Sequence, residues 1–186
     1  MTLEEMKKLP EDQQKVLYKK IKDVRTNYKV VNYSGIYGVG APKLARESGL
    51  NTTAAKALLA AYWERNWSVK VIAGEQYVKT LKDGTTWLKN PVSGFYHSLR
   101  FEKDIFSTLN QSTGVYCFDT WVAYCKHYGV EIPMQYHDEI LARCDVDKVD
   151  ETKEKMILAI QKTNEKVKLN VSLGIDIRTG LSLIHI

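Results

Sequence analysis

Apolar positions fall at helical spacing in the first third of the chain and give way to short alternating runs after it. The first twenty residues are charged and polar with scattered leucines and read as a helix or the approach to one. A helix is predicted from about Asp23 to Ile36, closed by Gly38, Gly40 and Pro42. Pro42–Ser48 reads as a short helix stopped by Gly49, and Asn51-Thr52-Thr53 offers a cap for a second clear helix over Ala54–Trp67, with Leu58, Leu59, Tyr62 and Trp63 at helical spacing. The period then changes. Gln76–Leu81 and Thr85–Leu88 flank Lys82-Asp83-Gly84, a hairpin turn signal. Asn90–Gly94 marks another turn, with a strand over Phe95–Leu99 after it. Lys103–His127 reads mostly as helix. Ile132–Ile140 and Leu141–Val146 read as two short strands around His137-Asp138-Glu139, followed by a charged amphipathic helix over Val149–Lys166 and a final strand over Leu169–Ile177. Helices first, then a small antiparallel sheet with helices against it, make the class α+β.

Composition narrows the function only a little. The chain has 186 residues, enough to bury a real core, and a net charge of +5 that suits a polyanionic partner without requiring one. Cys117, Cys125 and Cys144 are odd in number and irregular in spacing. That is neither a disulfide framework nor a zinc site, and they read as free thiols in a reducing cytoplasm. No apolar run reaches membrane-spanning length, so no membrane partner is expected, and the charged start lacks the apolar stretch of a signal peptide. The last six residues, Leu181–Ile186, are apolar straight after a Thr-Gly turn and look like a translated sequencing-library adapter. They are expected to lie outside the fold.

Two constellations carry candidate chemistry. Arg25, Lys29, Tyr33 and Tyr37 recur every four residues. On a helix they form one slowly drifting stripe about 18 Å long. Two cations can neutralise a polyphosphate, and the aromatics beyond them can stack on a base or sugar. A solvated basic face grading into a buried aromatic one would give the same spacing. The second constellation is Met134-Gln-Tyr-His-Asp-Glu-Ile140, which sets two acids among strand residues. Adjacent strand side chains point to opposite faces, so Asp138 and Glu139 project together only where a turn falls. Mg²⁺ prefers carboxylate oxygens, and a two-cation phosphoryl-transfer site takes at least two acids. The tripeptide alone also fits a plain polar turn.

Arg25, Lys29, Tyr33 and Tyr37-Gly38, set within Lys-Val-Val-Asn-Tyr-Ser-Gly-Ile-Tyr-Gly, resemble the fingers-helix motif of family A DNA polymerases. The resemblance implies that Arg25 and Lys29 hold the phosphates of an incoming dNTP, with Lys29 also catalytic. Tyr33 then contacts its sugar and base, and Tyr37 lies at the template side. Ser34 stands where the family commonly has Gly. The His-Asp-Glu segment resembles the palm motif, implying Asp138 as catalytic Mg²⁺ ligand, His137 toward the primer strand and Glu139 as auxiliary. Glu102-Lys103 and Ser107–Gly114 resemble the helix that reads the minor groove near the primer end, implying DNA contacts from Lys103 and Gln111. Ser107 stands where Asn is often found. Asn90–Phe95 and Phe118-Asp-Thr-Trp121 resemble phage members, and the likeness covers nearly all of 10–180.

The implied whole is an incomplete right-hand fold. Fingers helices occupy 1–70, with the nucleotide helix at about 23–37, and a hairpin region with part of the palm occupies 71–180. The implied activity is template-directed addition of dNTPs to a primer end in DNA replication, in the cytoplasm of a bacterium or phage-infected cell. The family's other catalytic Asp lies upstream of the fingers helix. Here the acids before Arg25 are Glu4, Glu5, Glu11, Asp12 and Asp23, in the wrong setting. The chain is therefore expected to be inactive alone. It would be completed by a missing N-terminal polymerase region, in the same chain or as a separate subunit. A non-catalytic module that binds primer–template is the alternative from a different class.

Overall fold

The computed structural model describes residues 6–181, so the expectations for the first five residues and for 182–186 lie outside the described residues. The chain is α+β and forms two compact units. One comprises the residues up to Gln76 together with Leu99–Ser107. The other comprises Tyr77–Ser98 together with the residues from Thr108 onward.

The first unit is helical. Helix α1 runs unbroken over Glu11–Ile36, so the predicted approach and the predicted 23–36 helix are one element. No Gly or Pro interrupts it before Gly35, and Glu11 and Asp12 in its first turn suit the positive end of the helix dipole. It ends in a Schellman motif: Gly38 N donates to Gly35 O at 2.9 Å and Val39 N to Ser34 O at 2.8 Å. Gly38 sits at φ +65°, a conformation that costs a side chain about 1 kcal/mol. Helix α2 (Ala41–Ser48) starts with Pro in its first turn and stops at left-handed Gly49. Helix α3 (Thr52–Arg65) is capped as expected, Asn51 Oδ1 accepting from Ala54 N at 2.8 Å. It ends earlier than the predicted Trp67, and a helix that the pattern did not reveal, α4 (Trp67–Gly74), follows. The break is local: the Asn66 amide donates to Tyr62 O at 2.8 Å and satisfies a terminal carbonyl. Leu44, Ala45 and Ala55 form the buried centre, with Val30, Val31, Leu58 and Leu59 packed around them.

The second unit holds both sheets. Strands β1 (Val78–Thr80), β2 (Thr86–Lys89) and β3 (Tyr96–Leu99) lie in that order, with β1 antiparallel to β2. Helix α5 (Ile105–His127) follows a short 3-10 turn; its first residues belong to the first unit and the rest to the second. Strands β4 (Glu131–Tyr136) and β5 (Glu139–Arg143) form a second antiparallel pair. The hairpin falls within the His137–Glu139 segment, with His137 and Asp138 as its turn and His137 left-handed at φ +53°; the predicted first strand, to Ile140, runs past it. Helix α6 spans Val149–Val167. Trp121, Val122 and Cys125 of α5 pack on Met156, Ala159 and Ile160 of α6, with Val130 between. The predicted final strand over Leu169–Ile177 is not one. Leu173, Ile175 and Ile177 alternate onto this core, which explains the strand-like period. The Leu173 backbone, however, is held by a side chain: Asn164 accepts from Leu173 N at 2.8 Å and donates to Leu173 O at 2.9 Å.

Candidate functional site

Helix α1 sorts its residues by face. Val30 and Val31 turn to the apolar cluster, and buried Gly35 meets the ring of Tyr62. The stripe Arg25, Lys29, Tyr33 and Tyr37 is exposed, with Tyr33 at 56%. Among the described residues no ion pair engages Arg25 or Lys29. The Arg25 guanidinium and the Lys29 ammonium are thus open to an outside anion.

At the end of the stripe the sequence-predicted residues converge. Tyr33, Ser34 and Tyr37, the Gly38–Gly40 turn, Lys43, Glu47 and Lys103 line an open hollow of about 310 Å³. Lys103 lies against the helix end: a Cβ built on Gly38 would sit 3.4 Å from its Cβ and Cδ. Its ammonium is 5.5 Å from the centre of the Phe101 ring. Lys103, assigned to DNA by resemblance, thus shares a wall with Tyr33 and Tyr37, assigned to the nucleotide. Lys43 and Glu47 approach only to 3.8 Å and are solvent-exposed, a contact of small energetic weight. The hollow has two lysines against one acid. It can take an anion beside an aromatic face.

The second set is built on the β4–β5 hairpin. Tyr136 pairs with Glu139 across the ladder, leaving His137 and Asp138 as the two turn residues. Both are exposed, and the His137 ring stands edge-on to Tyr136 at 4.4 Å. Glu139 begins β5, so the two acids do not share the turn. Asp138 offers one carboxylate, and among the described residues no group of three or more His, Cys, Asp or Glu side chains gathers. One carboxylate fits a single ligand position of a Mg²⁺ site; a two-cation site needs at least one further acid. Helix α1 and the His137–Asp138 turn belong to different units.

Gln111 is exposed on α5. Beside it is a residue that sequence reasoning did not single out. Asn90 is fully buried and clamps its own turn to α5. Its amide donates to Ser112 Oγ at 2.7 Å and Thr113 Oγ1 at 2.9 Å, while its carbonyl accepts from Val92 N at 2.8 Å and Ser93 N at 3.1 Å. Asn before Pro announces the turn half of this clamp. Nothing in the local sequence announces the other half. Tyr62 was likewise read only as a helix-face residue, whereas it is the surface against which Gly35 is packed. Among the described residues no helix is long and apolar enough to cross a membrane. No model of a known protein family matches the chain, and no curated protein matches it either, so the likeness to family A polymerases stands on the motif residues themselves.

Proposed function

We propose that this chain is the fingers and part of the palm of a DNA-directed DNA polymerase of the family A type, working with an upstream polymerase region that supplies the remaining catalytic acid. The observation that carries this reading is the pair Arg25 and Lys29 on α1, both exposed and without an ion-pair partner among the described residues, on a stripe that runs into Tyr33, Tyr37 and Lys103 at one hollow. Arg25 and Lys29 would neutralise the triphosphate of a dNTP, Tyr33 would lie along its sugar and base, and Tyr37 and Lys103 would meet the template–primer end. In the reaction the primer 3′-oxygen forms a bond to the α-phosphorus and pyrophosphate leaves; the stripe's cations offset the charge that develops on that leaving group. Bound Mg²⁺ would supply further neutralisation, with Asp138 as one ligand. Val16, Ile21 and Val24, each more than half exposed on the first part of α1, give the upstream region an apolar surface to cover.

The test is nucleotide binding by the purified chain, read with a fluorescent dNTP analogue. Lys29→Ala and Arg25→Ala should each weaken binding about tenfold or more, since a hydrogen bond to a charged group is worth roughly 1.5–3 kcal/mol. With Mg²⁺ and dNTPs the chain alone should extend no primer. Binding that ignores both substitutions would remove the nucleotide role of α1. Primer–template binding without any nucleotide binding would favour the non-catalytic module instead.

A further inference from the structure

We propose that the outer face of the β1-β2-β3 sheet binds single-stranded nucleic acid, with bases stacking on Tyr77, Trp87 and Tyr96 and phosphates meeting Lys79 and Lys89. The inference does not rest on the polymerase reading, because it uses none of the α1 residues. It begins with strand parity. Leu88 is fully buried, so the face of β2 that carries it turns inward. Trp87 and Lys89 therefore lie on the opposite face. Across the ladder Lys79 pairs with Trp87, and Lys89 N donates to Tyr77 O at 3.0 Å, which puts Lys89 opposite Tyr77. Tyr96 of β3 joins the same face, with the Lys89 ammonium 5.9 Å from its ring centre.

The result is a checkerboard. Along β1 and β2, and in the cross-strand neighbours Tyr77–Lys89, Lys79–Trp87 and Lys89–Tyr96, an aromatic ring adjoins a lysine. Tyr77 and Tyr96 are 57% and 50% exposed, so these rings are not there to fill a core. Trp87 is half-buried and its orientation is fixed: Nε1 donates to Thr85 Oγ1 at 3.0 Å, and that hydroxyl donates to Asp83 Oδ1 at 2.7 Å. Asp83 is the only acid between Tyr77 and Ser98, against Lys79, Lys82 and Lys89. It is already engaged by the Thr85 hydroxyl and N–H. A partner that matches the face must repeat a negative charge and a flat π-surface together. Single-stranded nucleic acid does so at every nucleotide. An acidic peptide offers the charge without the faces.

The test is fluorescence anisotropy of a labelled oligothymidylate titrated with the full chain, each variant being checked for an unchanged melting temperature. Tyr77→Ala and Tyr96→Ala should each weaken binding about thirtyfold, the middle of the range for loss of one base–aromatic stack. Replacing Lys79 and Lys89 together by Gln should lower the slope of log affinity against log salt by about 1.4, roughly 0.7 per phosphate contact on a single strand. Lys15→Gln, an exposed change outside both this sheet and the Arg25–Tyr37 stripe, should leave oligothymidylate binding unchanged. A bromodeoxyuridine-substituted strand should photo-crosslink within Tyr77–Ser98, a readout that needs no variant to fold. Wild-type binding by both tyrosine variants would overturn the proposal. So would crosslinks confined to other segments, or displacement by oligoglutamate that depends equally on Tyr77 and Tyr96. Absence of nucleotide binding with this binding intact would remove the polymerase reading and leave the sheet surface standing.

Discussion

Replacing Gly35 by Ala should destabilise the protein, against the ordinary rule for a helix interior. Ala in place of Gly normally gains about 0.8–1 kcal/mol in a helix. Here a Cβ would fall 2.5 Å from Tyr62 Cε1 and 2.8 Å from its Cδ1 and Cζ. Carbon atoms rest at about 3.5 Å or more, so the ring or the helix must retreat by roughly 1 Å. The ring has little freedom to do so. Tyr62 is only 9% exposed and stands edge-on against Trp63 at 5.2 Å. Overpacking of this kind costs about 1–3 kcal/mol, so the net expectation is a loss of about 1 kcal/mol. In a domain of this size that lowers the melting temperature by several degrees, about 2–4 °C for each kcal/mol at the larger end of the range. Thermal and urea unfolding followed by circular dichroism would measure it. Gly74→Ala is the internal contrast: it meets nothing within 4 Å and lies in a helix, so it should be neutral or stabilising. Trimming the obstacle with Tyr62→Leu should recover part of the Gly35→Ala loss as a favourable coupling between the two sites. If Gly35→Ala instead raised stability as Gly74→Ala does, the close approach of α1 to α3 would be wrong.

Asn90→Ala should cost about 2–4 kcal/mol, from four hydrogen bonds at roughly 0.5–1.5 kcal/mol each, offset by water reaching the half-buried turn amides. Urea unfolding would give that figure, and faster hydrogen exchange at Val92 and Ser93 would show that the turn had come loose. In the folded chain a thiol reagent near neutral pH should label Cys144 quickly and Cys117 and Cys125 only on unfolding, since the first is exposed and the others buried. Burial pushes the Cys125 thiol up to about 11 from an ordinary 9.0. Between those values the folded chain keeps a proton that the unfolded chain releases, so stability should fall as pH rises through that window. Rapid labelling of all three thiols in the native protein would contradict the packing of α5.

The elements that were legible in the sequence are those whose signals are local. Asn51 caps α3 through its own side chain, Gly49 stops α2 at positive φ, and the Lys82-Asp83-Gly84 turn joins β1 to β2. Where the sequence misled, a side chain had replaced a backbone partner. The segment around Leu173 has the alternation of a strand, but the Leu173 N–H and carbonyl bond to the Asn164 amide and not to a neighbouring strand. A hairpin at His137–Glu139 was legible, but the strand bounds around it ran too far, because His137 gives no sequence sign that it will adopt a left-handed conformation; Asn or Gly would have done so. Helix α4 was missed because its residues, Trp67 to Gly74, are rich in β-branched and aromatic types, and propensity alone argues weakly for a helix there.

The candidate site divides along the same line. The spacing of Arg25, Lys29, Tyr33 and Tyr37 states a shared face outright, because on a helix a four-residue interval is a geometric fact before any packing is known. That Lys103 would join Tyr33 and Tyr37 at one hollow has no such signature: the residues are far apart in sequence, and what unites them is the reversal at Gly38. A Tyr-Gly pair at a helix end therefore does two things at once. The glycine closes the helix by taking the left-handed position, and the turn it makes lies against the stem of Lys103. The cation then reaches the aromatic end of the stripe, completing a surface whose other cations, Arg25 and Lys29, lie further up the same helix. The functional stripe and the helix terminus are thus one physical unit. A side chain at Gly38 would strain the closure of α1 through the positive φ, while its Cβ would meet the Lys103 stem at ordinary contact distance.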